Sequence, residues 1–276
     1  MKLNAKLSTL FATLSVGVAA QAGDYYSKAP VGKDVVPVED AISGVLSFDV
    51  NTHFISYGLD VWGAGGDWEH TLFNPSLELT FALPNDAYFV LGTWWDVNDR
   101  APSLIGGSIQ EIDVWFGIGK DFGLIDAKLL YQVWNYGGDT EDILDLVLSF
   151  DAPLNPSFTV HYRVDEGASL GDTGVFFVGG IAPGFDLGPV AVSVPVNVGF
   201  TPDSYHPGLA PGTFGGSGYG FASVGLKGSY PLPVPEQYGE WALNAGVTFY
   251  HTSDSVIPTN PQDTFLTGSI GVLIGF

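Results

Sequence analysis

Ionisable side chains return at alternate positions along much of this chain. Glu111 and Asp113 are two apart, as are His161, Arg163 and Asp165; Glu141 and Asp145 are four apart, and Asp126 precedes Lys128 by two. Asp49, His53, Glu78, Lys227 and Glu240 stand in similarly alternating surroundings. Even spacing puts the members of each set on one face of an extended strand. Such a face can solvate a water-filled interior, pair charges with the next strand, and favour cations where acids dominate. The pore-lining set predicted this way is Asp49, His53, Glu78, Glu111, Asp113, Lys128, Glu141, Asp145, His161, Arg163, Asp165, Lys227 and Glu240. Two other chemistries use the same residue types. A metal centre from His53, His161 and Glu141 would lack the short ligand spacing common in such sites, so no metal is expected. An acyl hydrolase needs Ser and His within hydrogen-bond reach at the lipid surface. The apolar rows hold neither, although Ser149 and His161 fall on the polar faces of adjacent strands. The expectation is therefore no catalytic residue, no enzyme activity and no cofactor. The run from Gly215 to Gly220 lacks the strand-to-helix setting of a phosphate cradle and reads as a loop.

The elements that carry these rows alternate apolar and polar residues with period two, the mark of strands with one greasy face. The last stretch is representative. Leu266, Gly268, Ile270, Val272, Ile274 and Phe276 form one row, and Thr267, Ser269, Gly271, Leu273 and Gly275 the other. The first strand sets Phe48, Val50, Thr52 and Phe54 against Asp49, Asn51 and His53. The seventh sets Phe158, Val160, Tyr162 and Val164 against Thr159, His161 and Arg163. The third, Tyr88 to Asn98, is aromatic throughout and its facing is ambiguous. In the ninth, valines alternate from Val190 to Val198, but Pro195 cannot donate to a ladder, so a bulge or break is expected there. About twelve strands result, each of the length that crosses a bilayer at a tilt. Connections near 62–74, 98–109, 136–140, 166–172, 201–219 and 252–262 are on average longer than those near 84–86, 119–124, 151–156, 183–189 and 231–239. Bacterial barrels show this asymmetry, with short periplasmic turns.

Composition agrees. Charged residues are 14% of the chain, against about 25–35% wanted on a water-facing surface. There is no cysteine, and Gly accounts for 37 of 276 residues. The first residues read as an export signal: Lys2 and Lys6, an apolar run through Leu10, Phe11, Leu14, Val16 and Val18, then Ala20-Gln21-Ala22. Cleavage there removes two lysines and no acid, taking the formal charge from −21 to −23. A surplus of that sign excludes nucleic acid as a partner. The organisation expected is a signal peptide over 1–22, an irregular periplasmic lead-in over 23–40, which could plug the lumen, and a barrel over 41–276.

Alternation alone fits a lipocalin-like barrel with the apolar row inside or a membrane barrel with that row outside. The polar rows are rich in Gly, Ala, Ser and Asn, which suits a confined lumen. Trp94, Trp95, Trp134, Tyr136, Tyr230, Trp241 and Phe276 sit at strand ends, as interface girdles do. The fold class read from the chain is all-β, a membrane-spanning antiparallel up-and-down β-barrel of about 12 strands. Residues 45–150 resemble the TorF-type porins of bacterial outer membranes. The matching pieces are Ser56-Tyr57-Gly58, Gly92-Thr93-Trp94, Glu111-Ile112-Asp113-Val114-Trp115-Phe116-Gly117, Tyr131 and Thr140-Glu141. The chain departs from the family at Gly58-Leu59, where an arginine tends to stand beside a glycine. The resemblance implies an outer-membrane pore and supplies no solute. The function expected is a narrow, mildly cation-preferring diffusion channel for small hydrophilic solutes. The alternatives are a non-conducting anchor barrel or, behind it, a barrel enzyme. Trp115, Trp134 and Tyr136 are candidates to close the lumen. Expected partners are outer-membrane lipid and lipopolysaccharide, small solutes or cations, and the barrel-assembly machinery acting on the strand that ends at Phe276. Asp67, Glu69, His70, Asp254 and Asp263 fall in outer connections, as solvated loops that divalent cations could reach.

Overall fold

A computed structural model describes residues 41–165 and 171–276. The leader and lead-in expected over 1–22 and 23–40 lie outside the described residues. The strands are β1 (Ile42–Asn51), β2 (Ile55–Ser56), β3 (Leu59–Asp60), β4 (Leu72–Leu83), β5 (Ala87–Val97), β6 (Ile109–Asp121), β7 (Ile125–Asn135) and β8 (Thr140–Phe150). They continue as β9 (Ser157–Arg163), β10 (Gly174–Ile181), β11 (Gly184–Leu187), β12 (Val190–Ser193), β13 (Val196–Thr201), β14 (Gly218–Pro231), β15 (Glu240–Thr252) and β16 (Thr264–Gly275). Only one short 3₁₀ turn, Glu236–Tyr238, joins them among the described residues.

Every neighbouring pair is antiparallel, and the sheet closes. β1 pairs with β4 on one side and β16 on the other, with Phe48 opposite Val272 and Val50 opposite Ile270. The end strands therefore meet, as a closed barrel requires, and Phe276 exchanges backbone hydrogen bonds with Gly44. β10 with β11, and β12 with β13, each make one stave interrupted midway, so twelve staves surround the lumen. The interruptions fall at Pro183 and Pro195. Lacking an N–H, each proline drops out of the ladder as donor, but its carbonyl still accepts, from Val194 and Gly225 respectively. The break expected at Pro195 is present.

The exterior is apolar. Phe48, Val114, Phe116, Ile118, Leu226 and Ile270 are all exposed, while the alternate rows of the same strands point inward. This inverts the soluble pattern and is the arrangement of a membrane-spanning barrel. The ambiguous strand β5 faces Val90, Trp94 and Asp96 inward. At one end the connections are tight: in Pro84-Asn85-Asp86, Asn85 and Asp86 take φ of 63° and 58°, which Asn and Asp tolerate.

At the other end the connections are long and fold into the lumen. Phe54, expected on the lipid face, is only 2% exposed and turned inward, because the chain leaves the β1 ladder after Asn51. It packs on Trp94 with ring centroids 4.9 Å apart. Ser56-Tyr57-Gly58 does not end the first strand, as expected, but makes the tip of the β2–β3 hairpin inside the barrel. Tyr57 and Gly58 both take positive φ, 50° and 86°. Val256 and Ile257, and Tyr205 and His206, come in from two further connections and are buried. The interior is lopsided. β5 to β9 contribute Trp94, Trp115, Trp134, Ile143 and His161, whereas β15 and β16 contribute Gly246, Thr248, Thr267, Ser269 and Gly271.

Candidate functional site: the filled lumen

The bulky wall carries a continuous polar network. Asp145 on β8 and His161 on β9 are directly paired across strands, and His161 Nδ1 lies 2.6 Å from Asp145 Oδ1. Gln132 on β7 donates to the other Asp145 oxygen at 2.6 Å, and Trp134 donates to Gln132 at 3.3 Å. His161 Nε2 sits 2.6 Å from the Tyr205 hydroxyl. Two strands beyond the tryptophan row, Arg163 Nε donates to Glu141 at 3.1 Å. Its Nη1 donates to the carbonyls of Tyr205 and Asp172 at 2.9 and 3.2 Å, and its guanidinium lies 4.0 Å from the Tyr205 ring centre. Tyr205 is thus clamped from both sides by inward residues of one strand. Tyr57 covers the same group, its ring centre 3.8 Å from that of His161.

A second group lies on the neighbouring strands. Trp115 donates to Glu78 at 2.7 Å, and Lys128 approaches the other Glu78 oxygen at 3.7 Å. Gly92 makes room for that indole: a Cβ there would fall 2.3 Å from Trp115. Asp96, not foreseen as an interior acid, accepts hydrogen bonds from Trp62, Asn74 and Asn98 at 2.8, 3.1 and 2.8 Å. Its position two beyond Trp94 and four beyond Gly92 was the available sign that this row turns inward. Glu111 and Asp113 complete the set, with the Tyr136 hydroxyl on Glu111.

The remaining predicted residues are scattered. Asp49 is half-buried on β1, held by the Ser47 hydroxyl at 2.7 Å. His53 is buried above the end of β1. Its Nε2 is 2.7 Å from the Gly65 carbonyl, which can only accept, so that nitrogen carries the proton. Nδ1 then accepts from Thr52 at 2.7 Å. Lys227 is partly exposed toward the turn end. Two predicted lining residues are corrected. Asp165 lies past the end of β9 and is exposed, since the ladder stops at Arg163. Glu240 opens β15 at the turn-end rim and is exposed as well. His53, His161 and Glu141 do not converge; each has separate partners. Ser149 is paired with Ser157 rather than with His161, so no serine–histidine dyad forms here.

The inward-folded connections hold titratable groups in a dry setting. Burial, and then Arg163, lower the His206 pKa to about 3. Burial raises the Tyr205 hydroxyl above its usual range, against the pull of Arg163. Tyr136 is pushed well up by burial and then by the charges of Glu111, Glu141 and Asp113. Asp60, on the β2–β3 hairpin, is raised by burial even though the Gly65 N–H donates to it at 2.7 Å.

The chain matches no protein-family model and no curated protein sequence. Among solved structures it is similar to the KdgM porin in complex with disordered oligogalacturonate, at 10% identity and a TM-score of 0.44, covering 85% of this chain and 99% of that one. It is also similar to OmpF of Salmonella typhi in complex with daunomycin, at 8% identity and 0.37, covering 87% and 99%. A third is LpxR from Salmonella typhimurium, at 9% identity and 0.42, covering 83% and 99%. At these values the activities of those proteins do not transfer to this chain.

Proposed function

We propose that the chain is an outer-membrane, porin-like channel for passive diffusion of small hydrophilic solutes, of the TorF-type porin kind, delivered through a cleaved signal peptide. The reading rests on one observation: the ionisable residues are gathered inside a barrel whose outside is apolar. A barrel that only needed to be stable would do as well or better with an apolar filling, because burying ion pairs costs desolvation. Acids outnumber bases in that interior, so cations are the favoured permeants. The resting cross-section is blocked by the tryptophan row and by Tyr57 and Tyr205. Passage requires those connections to withdraw, or a file of water along the small-residue wall of β15 and β16. A cavity of about 20 Å³ lies there between Asn51, His53, Gly246, Thr248 and Ser269, and a space of that order holds one water. Lipopolysaccharide would meet the long connections, and the assembly machinery the strand ending at Phe276.

Full burial of Trp94, Trp115 and His161 favours a second reading, a non-conducting anchor. Reconstitution in a planar bilayer under a KCl gradient separates the two. Discrete conductance with a cation-signed reversal potential supports the channel. Absence of conductance above background assigns the anchor, and an anion-signed reversal removes the cation preference alone.

A further inference from the structure

Glu111 and Asp113 are both buried, at 4% and 0% exposure, on the inward face of β6. Their carboxyl groups are in hydrogen-bonding contact with each other. Yet neither Asp113 oxygen has a donor, and Glu111 Oε1 has none either. Asp96 on β5 and Glu141 on β8 stand within electrostatic reach of the pair. The cation facing this group, Arg163 on β9, is bonded to Glu141. The Tyr136 hydroxyl serves Glu111. Three bare carboxylate oxygens therefore converge where bare charge is most costly.

We infer that the Glu111–Asp113 pair is a binding site for one hard divalent cation of the calcium or magnesium class. A single shared proton would join two of the three bare oxygens and leave the third unsatisfied. A divalent ion takes all three, bidentate from Asp113 and monodentate from Glu111. Donors that are oxygen only select hard ions over zinc or copper. No cluster of three or more Asp, Glu, His or Cys side chains forms among the described residues. Water therefore fills the rest of the shell, as it does for magnesium held by one or two carboxylates. Tyr136 begins the 136–139 connection, so the site lies just beneath the long-loop end of the barrel.

Asp113 is paired across strands with Trp94 on one side and Trp134 on the other. An ion bound there would lie between two indoles, and this supplies the assay. The folded full-length protein in detergent, freed of divalent ions at neutral pH, is titrated with terbium while tryptophan is excited. The expected result is saturable sensitised emission from one ion per chain, displaced by calcium or magnesium. E111Q and D113N each abolish it, while D67N, in an exposed loop, leaves it unchanged. Heat-dependent gel mobility checks that each variant is folded, and the wild-type stoichiometry decides if neither interior variant folds. Absence of saturable emission from the wild type overturns the inference. So does emission that survives in both E111Q and D113N, which would put the ion on surface acids. An infrared band of a protonated carboxyl that persists in the presence of calcium and is lost in D113N would also overturn it, in favour of a shared proton. The assay needs no conduction, so its outcome is independent of the channel reading.

Discussion

Replacing Arg163 with Met tests whether the interior network holds the barrel closed. The guanidinium is buried and makes three separate ties: to the Glu141 carboxylate, and to the backbone carbonyls of Asp172 and Tyr205. Methionine keeps much of the volume and loses every donor. Glu141, itself 0% exposed, is left facing Glu111 and Asp113 without the opposing charge. Breaking a buried pair from one side costs about 3–5 kcal/mol, because the stranded charge stays desolvated. R163M should therefore lower stability by about that amount in a urea titration of the detergent-folded protein, followed by heat-dependent gel mobility. E141Q in the same background removes the stranded charge, and R163M/E141Q should recover most of the loss. The same release should loosen the connection that carries Tyr205 and raise open probability in bilayer recordings. If R163M stays within about 1 kcal/mol of the wild type, the pair is screened by water and the account of a dry, clamped lumen is refuted.

Three further outcomes follow from separate parts of the barrel. His206 stays neutral in the folded protein down to about pH 3, whereas the unfolded side chain takes up a proton near pH 6.5. Between those values the unfolded state binds more protons, so stability falls as pH drops, by roughly 1.4 kcal/mol per unit and about 3 kcal/mol by pH 4. Protease cleavage within 202–217 should rise over that window and be flattened in H206F; a flat wild-type profile would contradict it. At Gly58, φ is 86° and a Cβ would fall 2.8 Å from Ile257 and Phe221, so G58A should destabilise the hairpin by about 1–3 kcal/mol, read as a shifted urea midpoint. A Cβ at Gly44 would fall 2.4 Å from the Phe276 ring. G44V should therefore weaken the β1–β16 seam and lower the yield of folded barrel, and F276A should partly relieve it.

The sequence alone carried the barrel. Period-two alternation on strands such as β9 and β16, an even stave number and the contrast of short and long connections are local properties, and each survives in the structure. Pro195 announced its break because a missing N–H is chemistry of one residue. The inward rows were also legible: Glu111, Asp113, Lys128, Glu141, Asp145, His161 and Arg163 point to the lumen as their spacing required. What the fold alone decided is what fills that lumen. Phe54, Tyr57, Tyr205 and His206 belong to connections, where alternation has no meaning, and their depth depends on loops returning into space left by the small-residue wall. Asp165 and Glu240 kept the right parity but lie where the ladder ends, and parity says nothing about where pairing stops. The pairing of Arg163 with Glu141, and the contact between two carboxyls that no donor explains, arise from strand register and barrel closure. Those are set by all twelve staves together, and no single stretch of sequence contains them.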